Sequence, residues 1–134
     1  MLTTSVKIVD AARDLGVVID IGLTMSYHVT AVCRSAYYTN FVNYSYIRTI
    51  ARSLSDDAAK TLVHAFISCR LDYCNALLCG ISDGLVQRLQ SIQNAAARLV
   101  SGAGRREHIT PVLRQLHWLP VRQRMDFKVM VLVY

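Results

Sequence analysis

The sequence predicts a mainly α-helical chain: a short β-hairpin within residues 1–22, followed by a helical bundle over residues 23–134. Three observations carry this. β-branched residues concentrate before residue 20. From about Leu23 the apolar period changes to helical spacing. Helix start and stop residues then punctuate the rest of the chain.

Taken in order, Val6-Lys7-Ile8-Val9 alternates and reads as a first strand. Leu15-Gly16-Val17-Val18-Ile19, between Asp14 and Asp20, reads as a buried second strand, with Asp10 to Arg13 as the hairpin connection. Asp20-Ile21-Gly22 breaks the pattern as a turn. Val29, Val32, Cys33, Ala36 and Tyr37 recur as one helix face. Residues 38–46 are aromatic and Asn-rich without a clean period, and Ile47, Ile50 and Leu54 resume a helical one. Ser55-Asp56-Asp57 is a helix start, a capping hydroxyl followed by carboxylates at the positive end of the dipole. Leu62, Ala65, Phe66, Cys69, Tyr73, Ala76 and Leu77 form the expected apolar face, stopped by Gly80. Asp83 caps the next helix, whose stripe is Leu85, Leu89, Ile92, Ala96 and Leu99, ended by Gly102 and Gly104. Thr110-Pro111 opens a short turn with Val112, Leu113 and Leu116. Pro120 opens the last helix, with Val121, Met125, Val129 and Leu132 on one face. No stop signal follows Val129, so that helix is expected to continue past Tyr134.

Composition narrows the function classes. The chain has 134 residues, 53% hydrophobic and 18% charged, with 6 Gly and 2 Pro. This excludes intrinsic disorder and collagen-like or low-complexity classes. A mean hydropathy of +0.29 implies apolar surface that expects a neighbour. No uncharged apolar run reaches the ~20 residues of a spanning helix. Lys7, Asp10, Arg13 and Asp14 interrupt the place where a signal peptide would be apolar. The expected setting is therefore intracellular, without a membrane, and the four cysteines are expected to be reduced. The net charge is +6, and it is uneven: residues 98–134 hold seven basic and two acidic residues. A basic C-terminal third points to an anionic partner.

Catalytic and metal chemistry is hard to place. Cys69, Cys74 and Cys79 repeat every five residues, which rotates successive thiols about 140° apart on a helix, so they cannot converge on one ion. Buried structural cysteine is the expected role. His28, His64, His108 and His117 are scattered, with His64 expected at a helix–helix contact. There is no nucleophile elbow and no glycine-rich phosphate loop. Asp56-Asp57 is a carboxylate pair, but adjacent helical positions point about 100° apart. The basic residues Arg98, Arg105, Arg106, Arg122, Arg124 and Lys128 are the candidates for gripping a nucleic-acid backbone. Trp118 either stacks on a base or anchors the turn before the last helix in the core.

Several segments read together as a familiar series: ARDLGVVID (residues 12–20), VCRSAYY (32–38), LVHAF (62–66), SCRLDYCNALL (68–78), QSIQNAAARLV (90–100), HITPVL (108–113) and LHWLPV (116–121), then Arg124 and Phe127-Lys128. In this order and spacing they closely resemble the region after the catalytic palm in LINE-type (non-LTR, jockey-like) retrotransposon reverse transcriptases. The resemblance covers nearly the whole chain, and RLDYCNALL, QNAAARLV and HWLPV are its most specific stretches.

The resemblance implies that residues 1–22 are the end of the palm, with a primer-grip hairpin at Leu15, Gly16 and Val17. It implies that residues 23–134 are a thumb-like helical region, truncated at the C-terminus, packing along a primer–template duplex. The partners would be an RNA–DNA or DNA duplex and the missing palm and fingers. The parent would be an RNA-directed DNA polymerase, cytoplasmic and nuclear, needing Mg²⁺ held by palm aspartates. The aromatic-x-Asp-Asp motif that holds those ions is absent here. No catalytic residue, metal site or cofactor is expected in this chain, and no enzyme activity of its own. Residues 38–53 also depart from the family pattern. Two other readings stay open: a stand-alone helical module for nucleic acid or an acidic protein, and a non-functional relic.

Overall fold

The computed structural model describes residues 7–38, 49, 53 and 55–134. Among these, the elements are β1 (Ala11–Asp14), β2 (Val17–Asp20), α1 (Ser26–Tyr37), α2 (Asp56–Asp72), a 3-10 turn (Asn75–Leu78), α3 (Asp83–Ser101), α4 (Ile109–Gln115) and α5 (Val121–Val133). The chain is mainly helical with an N-terminal hairpin, as the sequence predicts.

The hairpin lies one element later than expected. β1 and β2 pair antiparallel with Ala11 opposite Asp20 and Asp14 opposite Val17. The residues read as the connection are therefore strand β1, and Leu15-Gly16 is the turn. Residues 7–9 carry no regular structure, and Val6 lies outside the described residues. Leu15 (φ 45°) and Gly16 (φ 83°) both sit in left-handed backbone. A two-residue loop needs this geometry to match strand twist, and Asn-Gly or Asp-Gly normally announces it. Leu-Gly does not, which is why the pattern misled.

Asp20 fixes the passage from β2 into α1. Its Oδ1 accepts the Thr24 backbone N–H at 2.9 Å and its Oδ2 accepts the Thr24 hydroxyl at 3.0 Å. The Thr24 N–H above all holds this carboxyl below its usual pKa. The clamp spans Leu23 (φ 53°) and Met25 (φ 61°), two more left-handed non-glycine residues. α1 is then tied back to β2, because His28 Nδ1 accepts the Val18 N–H at 3.3 Å.

In α2, Ser55 Oγ accepts the Ala58 N–H at 3.4 Å, the cap that the sequence predicts. The buried face is not the predicted one. Val63, Ile67 and Leu71 enter the core, while Ala65, Cys69, Tyr73 and Leu77 are exposed and Leu62 is half-buried. The helix also ends early, at Asp72, because Cys74 turns left-handed (φ 54°) before the 3-10 turn.

α3 is the central strut and packs against α1, α2, α4 and α5. Its buried line is Val86, Leu89, Gln93, Ala96 and Ala97; Leu89 and Ala96 are buried as predicted, whereas Leu85, Ile92 and Leu99 are half-buried. Ala96 and Ala97 are fully buried, and small side chains there let neighbouring helices approach closely. Gly102 closes α3 in left-handed backbone (φ 72°), as predicted. α5 starts after Pro120 and buries Val121 and Met125, but Leu132 is exposed. One core cluster joins Val17 of the hairpin to Val29, Ile67, Leu89, Leu113, Trp118 and Met125. No helix among the described residues is long and apolar enough to cross a membrane.

Candidate nucleic-acid interface

The six candidate basic residues do not form one patch. Arg98, Arg105 and Arg106 lie at the C-terminal end of α3 and in the loop after it. Arg122 lies at the other end of α3, paired with Asp83. Fifteen helical residues separate Asp83 from Arg98, about 22 Å at 1.5 Å per residue.

Each side chain is placed differently. Arg98 laces its own loop: Nε donates to the Gly104 carbonyl and Nη2 to the Glu107 carbonyl, both at 3.3 Å. Glu107 N–H closes the loop on Gly104 O at 3.2 Å. Arg105 and Arg106 are displayed on that laced turn, exposed and without an ion pair among the described residues. Arg122 is exposed and its charge is met by Asp83. Lys128 is exposed on α5 and lines a small cavity of about 280 Å³ with Asp72, His117 and Phe127.

Arg124 sits apart from these. Its side chain is only 12% exposed. Nη1 donates to both Asp72 oxygens at 2.8 Å, and Nε donates to the Leu119 carbonyl at 3.0 Å. This guanidinium joins α5 to the end of α2 and to the turn before α5. Its contacts are those of a fold-holding residue.

Around Arg124 the three most specific sequence stretches meet. Asp72 and Asn75 come from RLDYCNALL, Gln90 and Gln93 from the segment containing QNAAARLV, and Leu119 and Val121 from HWLPV. Gln93 is fully buried, and its Nε2 donates to Leu119 O at 2.8 Å. Gln90 Nε2 donates to Gln93 Oε1 at 2.9 Å, while Gln90 Oε1 accepts the Val121 N–H at 2.8 Å. That bond satisfies a donor at the start of α5 that no intrahelical carbonyl can reach. Asn75 Nδ2 points at Asp72 Oδ1 at 3.5 Å, and its buried Oδ1 lacks a partner among the described residues. Sequence reading missed this knot. Its one visible signal is Gln93, a polar residue inside an apolar stripe.

Trp118 is 5% exposed and its ring tilts against His64, 5.4 Å between centroids. It anchors the turn in the core, so its faces are not available to a base. The hairpin residues divide: Val17 is buried, while Leu15 and Gly16 form the exposed tip. Tyr73 pins that tip, its hydroxyl donating to the Leu15 carbonyl and its ring lying 3.4 Å from where a Gly16 Cβ would stand.

The cysteines differ from expectation. Cys69 and Cys79 are exposed; Cys33 and Cys74 are half-buried. Burial pushes the Cys33 thiol above its usual pKa, against the opposing pull of Arg88. Among the described residues no group of three or more His, Cys, Asp or Glu side chains is placed to hold a metal ion. Comparison with protein-family models, with characterised proteins and with solved structures finds no match to this chain.

Proposed function

We propose that the chain is the duplex-holding part of a LINE-type retrotransposon reverse transcriptase, the primer-grip hairpin and thumb-like helices without the catalytic aspartates. The observation that carries this reading is the ordered series RLDYCNALL, QNAAARLV and HWLPV. It is supported by the way those stretches lock into one polar knot, which gives each of them a fold-level reason to keep its spacing. The work of this part is positioning. Backbone contacts hold a duplex in register while another segment does the chemistry. Of the six candidates, Arg105, Arg106 and Lys128 are exposed without an ion pair among the described residues, and Arg98 positions the loop that presents the first two. Magnesium chemistry belongs to the parent's palm, and the chain alone does not extend a primer.

Binding of a labelled RNA–DNA hybrid across a salt series tests this. Three phosphate-facing cations give a log–log slope of about −2.7, so a fourfold salt rise weakens binding about 40-fold. Arg105→Gln/Arg106→Gln lowers that to about fourfold. A flat salt response, or selective binding to an acidic protein, favours the stand-alone module instead. Magnesium-dependent primer extension by the purified chain would overturn the non-catalytic role.

A further inference from the structure

The described residues of the predicted apolar face of α2 lie outside the core. Leu62, Ala65, Cys69 and Tyr73 line a cleft of about 880 Å³ between α2, α1 and the hairpin. α2 therefore carries two apolar lines, one in the core through Val63, Ile67 and Leu71 and one facing this cleft. Opposite it, α1 contributes Ala31 and Val32. Two helix faces with small and aliphatic side chains make the kind of groove that receives a third helix through apolar residues at i, i+3, i+4 and i+7.

The charge around the cleft is one-sided. Arg13 of β1 and Arg70 of α2 both line it, both are exposed, and among the described residues no carboxylate lines it. His28, 3% exposed, also lines it, and with Nδ1 accepting from Val18 its neutral ring keeps a donor on Nε2. The apolar walls are mainly aliphatic. Among the described lining residues the aromatic rings are Tyr73, held against the hairpin tip, and the buried His28, so neither is a free stacking platform for bases.

We propose that this cleft docks an amphipathic peptide helix with acidic flanks, its aliphatic side chains between α1 and α2 and its carboxylates on Arg13 and Arg70. The site is separate from the loop of Arg105 and Arg106 and does not depend on duplex binding.

The test uses the full chain and a fluorescein-labelled Glu/Leu/Ala peptide with leucines at i, i+4 and i+7. A lysine-for-glutamate version and a single-stranded oligonucleotide are the comparison probes. Cys69 lies in the cleft and Cys79 is exposed outside it, so maleimide labelling resolved by mass spectrometry reads occupancy with an internal control. Expected are saturable binding of the acidic peptide, selective protection of Cys69, and about tenfold weaker binding in Arg13→Gln/Arg70→Gln. Ala65→Trp, an exposed position that fills the cleft, abolishes binding while the melting temperature is kept. No saturable binding of the acidic peptide overturns the proposal. So does equal binding of the lysine version, unchanged affinity in Ala65→Trp, or protection of Cys69 by the oligonucleotide instead.

Discussion

Replacing Arg124 with methionine removes a guanidinium that meets both oxygens of Asp72 at 2.8 Å and the Leu119 carbonyl at 3.0 Å. The side chain is 12% exposed, but Asp72 is 43% exposed, so water screens one partner. Breaking a fully buried pair costs about 3–5 kcal/mol. Discounting for the exposed carboxylate, and for the methylenes that methionine keeps, leaves about 2–3 kcal/mol. At about 3 °C per kcal/mol for a chain of this size, the melting temperature falls about 6–9 °C. Asp72→Ala costs a similar amount, and the double variant costs clearly less than the sum, a coupling of about 1.5 kcal/mol. Thermal melts of the four proteins measure this, with hybrid binding followed in parallel at a temperature where all are folded. Unchanged melting together with loss of hybrid affinity refutes the reasoning. It would make Arg124 a phosphate contact after all.

Leu15→Asn puts a residue that tolerates left-handed backbone at an exposed turn position; it raises stability by about 1 kcal/mol, visible as a melt about 3 °C higher. Gln93→Leu removes one of the two donors to the Leu119 carbonyl, leaving Arg124 Nε, and one of Gln90's partners, and urea unfolding records a loss of about 1–2 kcal/mol. His28 is held below its ordinary pKa near 6.5, mainly by burial and then by Arg13. Protonation therefore favours the unfolded chain. The stability that neutral His28 contributes is complete above pH 6.5 and declines as pH falls below it. In His28→Asn, the drop in melting temperature between pH 7.5 and 5.5 becomes shallower.

Where local chemistry is self-contained, the sequence is legible. Ser55 announces its cap and Gly102 its helix end, because each acts on neighbours three or four residues away. The hairpin is recognisable but its register is not, since Leu15 occupies a position that asparagine or glycine usually marks. α2 defeats a periodicity reading for a different reason. It has two apolar lines, and nothing local tells which one meets α3. The candidate interface is less legible still. A run of arginines looks uniform in sequence, yet Arg98 laces a loop, Arg122 meets Asp83, Arg124 locks helices, and Arg105 and Arg106 stay exposed. Those assignments depend on carboxylates and carbonyls up to 52 residues away, such as Asp72 for Arg124.

The proposed duplex-holding role requires a catalytic palm encoded in frame with these helices. Full-length sequencing of the transcript that encodes Met1 tests that most directly. The expected result is an in-frame segment upstream carrying an aromatic-x-Asp-Asp motif on a palm-like hairpin. A transcript that contains no such segment in any continuous frame with Met1 contradicts it.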